Sequence, residues 1–182
     1  MSSAEPTKHR LGAVCFAAGV HFAVVQTAYF LLLEAHLSSR ASSYFIALLF
    51  WLVGLLFGLR LGHGRRFGGV LAAGLAGYHA AHRLATSAPF HPALYVVVAL
   101  GSILSGAASG LFFRVVARRY RPIRSLLFHE NNGFVLGLAV ALRGATHFGG
   151  ALLAYGPVLT AGVLATLVLA FARAERQSSS SS

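Results

Sequence analysis

The sequence predicts an all-α fold, a polytopic membrane protein built as a six-transmembrane-helix bundle with both termini in the cytoplasm. Three features point there. The 182 residues are 57% hydrophobic and only 10% charged, against about 25% charged in an ordinary soluble domain. That leaves too little polar surface to cover a molecule that faces water on all sides. Long apolar segments follow one another at short intervals, and the fifteen Lys and Arg crowd into alternate connections between them.

A helix needs about 20 apolar residues to cross about 30 Å of hydrocarbon. Six segments qualify, at 11–33, 43–62, 67–85, 93–117, 132–154 and 157–174. Backbone polar groups cannot stay unpaired in lipid, so helices are expected rather than open strands. The polar residues 1–10, MSSAEPTKHR, read as a cytoplasmic N-terminal segment. The first span, LGAVCFAAGVHFAVVQTAYFLLL, outruns a signal-peptide core, and no small-x-small cleavage site closes it. It is expected to be retained. Cys15 inside it is the single cysteine, which rules out an intramolecular disulfide and a CxxC metal site. Gly149, Gly150, Gly156 and Pro157 predict a tight extracytoplasmic turn between the fifth and sixth spans. Residues 175–182 read as a flexible cytoplasmic tail beyond the transmembrane domain at 11–174.

The basic residues set the direction. Lys8 and Arg10 precede span one, and Arg60, Arg65 and Arg66 follow span two. Arg114, Arg118, Arg119, Arg121 and Arg124 lie around the connection after span four, and Arg173 and Arg176 close span six. These twelve fall on one side, against Arg40 and Arg83 on the other. The excess marks the cytoplasmic face of a bacterial inner membrane. A formal charge of +11 on a soluble protein would suggest nucleic acid. Here the arginines flank apolar segments, so lipid headgroups are the expected partner and nucleic acid is not.

Lipid provides no hydrophobic drive for helices to associate, so small residues must supply close packing. Span two places Gly54, Gly58 and Gly62 on one ridge at four-residue spacing. Span four has Ser102, Gly106 and Gly110, span five has Gly133 and Gly137, and span three has Ala73, Gly77 and Ala81. These read as packing seams.

Span three also contains the stretch YHAAHRLA, residues 78–85. His79, His82 and Arg83 fall in its outer half. Arg143 lies near mid-depth in span five, with His147 one turn further out on the same face. Glu34 ends span one, His36 follows it, and His91 opens span four from the same side. Among the four acidic residues, Glu5, Glu130 and Glu175 are cytoplasmic, so Glu34 is the expected partner for Arg143. An arginine within a span costs about 2.5–3.5 kcal/mol on insertion scales, so Arg143 should face protein or water.

Three chemistries suit this set. A b-type haem takes two histidines from facing helices, and His79 or His82 with His147 would supply them. An anion, a polar small molecule or a quinone headgroup would suit a positive pocket of Arg83, Arg143 and the histidines. Alternatively, the polar ends snorkel to lipid headgroups, which accounts well for His36, His91 and Arg83 but poorly for Arg143. No Walker loop, HExxH, GxSxG or paired carboxylates occur, so an enzyme is not expected.

Asn131, Asn132, Gly133 and Gly137, in HENNGFVLGLAVALRGATHFGGALLAYGPVLTAGVLATLVLA, resemble the last helix pair in the membrane portion of bacterial spermidine synthase-like proteins. FLLLEAHLSSRASSYFIALLFWLVGLLFGLRLG is similar to that family's first hairpin. Halves of major-facilitator transporters are similar too. The resemblance implies an architecture and not the synthase activity, since these residues include no Rossmann-like domain for the aminopropyl donor. The expected function is a non-enzymatic subunit of a membrane assembly or a small-solute transporter, without a cofactor, and a homo-oligomer or part of a larger complex. The alternative is an electron-transfer anchor holding haem b or a quinone.

Overall fold

The computed structural model describes residues 4–36, 41–61, 64–118 and 123–180. Among them the secondary structure is all helix, joined by short turns and without strands. The elements are α1 (Ala4–His36), α2 (Ala41–Arg60), α3 (Phe67–Ser87), α4 (Ala93–Ala117), α5 (Ile123–Phe148) and α6 (Gly150–Ser180), with a single 3-10 turn, Gly64–Arg66, leading into α3. Four helices are long and apolar enough to cross a membrane, at Arg10–His36, Ser42–Arg60, Ala93–Ala117 and Gly150–Ala174. The chain is a membrane protein on that ground. Large apolar side chains face outward, including Leu56 and Phe57 on α2, Val135 on α5 and Leu159 on α6. Such a belt is unsuited to water and suited to acyl chains.

Helix α1 is the centre and packs against all five others. It buries Val14, Cys15, Phe22, Val25, Tyr29, Leu32 and Leu33. Phe22 meets Trp51 of α2 edge-on at 6.2 Å and Phe112 of α4 at 5.9 Å. The main pairings skip neighbours in sequence, with α1 on α5 and α2 on α4. Both pairs are parallel. In the first, Gly133 abuts Phe16 and Gly137 abuts Val20; in the second, Gly54 abuts Ile103 and Gly58 abuts Ala107. Helix α3 lies antiparallel on α4, with Gly74 against Ser105 and Gly77 against Gly101. Helix α6 lies antiparallel on α1, with Gly156 against Val24 and Thr160 bonded to His21. Helices α1, α3 and α5 therefore run one way and α2, α4 and α6 the other.

Side chains and turns tie the ends. Arg114 Nη1 donates to the Leu59 carbonyl at 2.6 Å, occupying an acceptor that the end of α2 leaves open. At the opposite end Phe90 adopts φ 67°. Its N–H donates to the His36 carbonyl at 2.9 Å, closing the α3–α4 connection onto α1.

Three boundaries differ from the sequence reading. Helix α1 begins at Ala4, so it takes in most of the expected N-terminal segment. Helix α6 continues to Ser180 through much of the expected tail. The turn after α5 is Gly149 alone, at φ 50°, and α6 starts at Gly150 rather than at 157. Only glycine adopts that left-handed conformation readily, so one residue suffices for the reversal. Gly156 and Pro157 then lie inside α6, and Pro157 is buried there.

Candidate functional site

Two polar groups form at the end of the bundle that carries His36, His91 and Gly149. The first is on α3. Tyr78 is fully buried, with its ring 5.6 Å from that of His79 and 6.3 Å from that of His82. His79 and His82 are half-buried and Arg83 is exposed. His36 lies within electrostatic range of His82, and its Nδ1 is bonded to the Leu32 carbonyl at 3.1 Å. His91 accepts the Ala93 N–H at 3.1 Å and so serves as a cap for α4.

The second group is on α5. Arg143 and His147 line one groove of about 500 Å³ with Ala139, Val140, Gly144, Phe148 and Leu152. The helical spacing of four puts both on one face. His147 Nδ1 is 3.0 Å from the Arg143 carbonyl, so a proton there donates within the helix and leaves Nε2 as the ring's second polar atom. Arg143 and His147 are both exposed on the outer surface of the bundle, and the walls of this open groove are otherwise apolar. The Arg143 guanidinium has no partner among the described residues.

Helix α6 stands between the two groups. Tyr78 reaches Leu153 on one side of it, while Gly144 abuts Leu152 on the other. Helices α3 and α5 share no direct packing among the described residues. Arg83, His79 and His82 on α3 and Arg143 and His147 on α5 therefore lie on two helices that each pack against α6 and not against each other. Nor do three His, Cys, Asp or Glu side chains converge as a metal set among the described residues.

Glu34 is exposed at the end of α1 and forms no ion pair with Arg143. Register explains the separation. Phe16 lies level with Gly133 and Val20 with Gly137, so continuing up the parallel pair brings Gln26 level with Arg143. Glu34 sits about two turns further out.

The expected packing glycines of α2, α4 and α5 fall on the parallel pairs, and Gly77 of α3 falls on the antiparallel α3–α4 pair. A Cβ at Gly54, Gly58, Gly106 or Gly110 would overlap a backbone carbonyl oxygen of the facing helix, and one at Gly133 would overlap that of Phe16. At Gly137 it would crowd the Val20 carbonyl oxygen at 2.6 Å. Gly62 falls outside the described residues.

A third polar cluster has little outward sign in the sequence. It lies inside the bundle, between α1, α3, α4 and α6. Tyr29 and Tyr78 meet edge-on at 5.1 Å. The Tyr29 hydroxyl is 3.5 Å from both the Gly74 carbonyl and Ser105 Oγ, and the Tyr78 hydroxyl donates to the Leu153 carbonyl at 2.7 Å. That last acceptor has a cause. Pro157 lacks the N–H that would bond the carbonyl four residues earlier, which is Leu153, and a freed carbonyl at membrane depth needs another donor. Pro157 is therefore the signal in the sequence that foretells a donor from another helix. Nearby, Thr160 donates to the Gly156 carbonyl at 2.9 Å and accepts from His21 Nδ1 at 3.0 Å. Ser102 Oγ is buried without a hydrogen-bond partner among the described residues.

Compared with protein-family models, curated proteins and solved structures, the chain matches none of them.

Proposed function

We propose that the chain is a non-enzymatic inner-membrane protein with six spans and both termini cytoplasmic, which binds a small, largely apolar anion from the outer side and moves it or passes it to a membrane assembly. The observation that carries this reading is the groove shared by Arg143 and His147. An unpaired guanidinium in an apolar wall is unfavourable by about 2.5–3.5 kcal/mol when the wall is lipid. An anionic ligand would offset that penalty, and the apolar walls would take up the rest of its surface. The exposed Val135, Leu136, Val140 and Leu142 support α5 as a lipid-facing span despite its polar ends. The arginine bias and the alternating helix directions support this orientation and span count.

Reporter fusions test the threading. Fusions within residues 37–40 or at His91 should be active outside the cytoplasm, and fusions within 119–122 or after Ser182 inside it. An external signal at 119–122 would overturn the orientation.

Binding is tested on the protein in lipid nanodiscs with benzoate as probe. Benzoate should raise the unfolding midpoint by an amount that grows with concentration, by the linkage that gives about 2.7 kcal/mol at one hundred times Kd. Arg143→Ala should weaken the apparent affinity at least about tenfold, the loss of one charge-assisted contact. Arg143→Lys should retain part of the effect. A midpoint that ignores benzoate, or an unchanged response in Arg143→Ala, would count against the site.

A further inference from the structure

The two parallel helix pairs repeat each other residue by residue. A Cβ at Gly106 would overlap the Trp51 carbonyl oxygen and then meet the Leu55 amide nitrogen; one at Gly19 would overlap the Glu130 carbonyl oxygen and then meet the Phe134 amide nitrogen. A shift of 87 takes Gly19 to Gly106, and a shift of 79 takes Trp51 to Glu130 and Leu55 to Phe134. The same two shifts convert the contact of Gly54 with Ile103 into that of Gly133 with Phe16, and the contact of Gly58 with Ala107 into that of Gly137 with Val20. The sequence bears a trace of it, GLLFGL at 54–59 against GFVLGL at 133–138.

The correspondence extends to the third helix. Exchanging α1 with α4, α2 with α5 and α3 with α6 turns the α1–α5 pair into α4–α2, and the α3–α4 pair into α6–α1. All four pairs are present. Exchanged helices run in opposite directions, so the operation is a two-fold axis across the helices, in the plane of a membrane that they span. Repeats related in this way recur in secondary transporters, where two copies of one unit face opposite sides of the bilayer.

The two halves are not identical in their contacts. Helix α1 packs on α3 and α5 on α6, but the exchanged pairs, α4 with α6 and α2 with α3, do not touch among the described residues. One end of the bundle is closed by Tyr29 on Tyr78, Tyr29 on Gly74 and Ser105, and Tyr78 on Leu153. The equivalent seam between α4 and α6, towards the other end, has no hydrogen-bonded counterpart of this seal among the described residues. Two units of like architecture that hold unlike contacts define a second arrangement, in which those contacts are traded.

We infer that the chain is an inverted-topology repeat of three helices, and that it works by letting the two units trade contacts: the seal of Tyr29, Tyr78 and the Leu153 carbonyl opens at the outer end while the α4–α6 seam closes at the inner end. This rests on the six-span threading of the proposed function and adds the mode of action, alternating exposure of the interior to the two sides. Two hydroxyls hold the seal, so removing them shifts the balance with little change in shape.

The test uses the full chain in liposomes, in a Cys15→Ser background, with a membrane-impermeant maleimide supplied from either side. V98C and L11C serve as reporters. Val98 and Leu11 are buried and are equivalent under the shift of 87. Introducing Tyr29→Phe with Tyr78→Phe should speed labelling of V98C from outside about fivefold and slow labelling of L11C from inside, by a smaller factor, because the inward-exposed population falls as the outward-exposed one rises. Faster labelling at both reporters would mean general loosening and would overturn the exchange. No change at either, or a change at V98C alone, would overturn it as well. Labelling of L11C from outside would instead refute the threading, so the two failures are told apart.

Discussion

Gly133→Ala should destabilise the folded protein by about 3 kcal/mol, at the upper end of what overpacking a tight contact does. The added methyl would overlap the carbonyl oxygen of Phe16, and that obstacle is backbone. A side chain can turn aside, whereas a helix backbone can only move away as a body. Separating α1 from α5 also gives up the close Cα–H···O contacts that such pairs make. In lipid no hydrophobic term compensates, because acyl chains are as apolar as the side chains they would meet. Gly54→Ala should lose a similar amount, since Gly54 holds the equivalent place against Ile103. Glycines with open space supply the control. Nothing lies within 4 Å of a Cβ at Gly68, Gly69 or Gly162, so alanine there should alter stability by less than about 1 kcal/mol, the difference in helix propensity. Unfolding rates in denaturing detergent measure all five. Equal tolerance at Gly133 and Gly162 would mean that the two helices do not approach so closely.

Helix positions were readable because lipid leaves a spanning backbone almost no alternative. The ridges were readable as well, since Gly54 and Gly58, or Gly133 and Gly137, show their four-residue spacing in the bare sequence. Which ridge meets which was not. The short connections favour sequence neighbours, yet α2 packs on α4 and α1 on α5, because backbone carbonyls and glycines fit only in those registers. For the same reason Arg143 and His79 could be given a depth but not a direction around their helices, and α6 separates them. The start of α6 was misplaced because proline ordinarily marks a helix end. Here the carbonyl that Pro157 frees receives the Tyr78 hydroxyl, and the helix runs through. The role of Tyr29 is hidden in the sequence for another reason. A tyrosine in an apolar run looks like one more aromatic until a partner for its hydroxyl is seen on a different helix.

Tyr78→Phe should reduce stability by about 2 kcal/mol, because it strands the Leu153 carbonyl without a donor inside the bundle. The same substitution made together with Pro157→Ala should reduce it by less than about 0.5 kcal/mol, the tolerance within which independent effects add. Alanine restores an N–H at position 157, and that amide can bond Leu153 in the ordinary helical manner. The two substitutions should therefore be non-additive, with a coupling of about 1.5 kcal/mol, well inside the range for residues that share one hydrogen-bond partner. Packing alone predicts a different outcome. Tyr78 is wedged against Tyr29 at 5.1 Å, and phenylalanine keeps that ring contact, so a purely steric role leaves Tyr78→Phe nearly silent in both backgrounds. A role for the hydroxyl unconnected with Pro157 gives the same loss in both. Only the exchange of one donor for another makes the loss depend on residue 157. A double-mutant cycle read from unfolding rates in mixed detergent separates the three cases. Equal losses with and without Pro157 would show that the proline and the tyrosine act independently, and that the bond between α3 and α6 is not held in place by the missing amide.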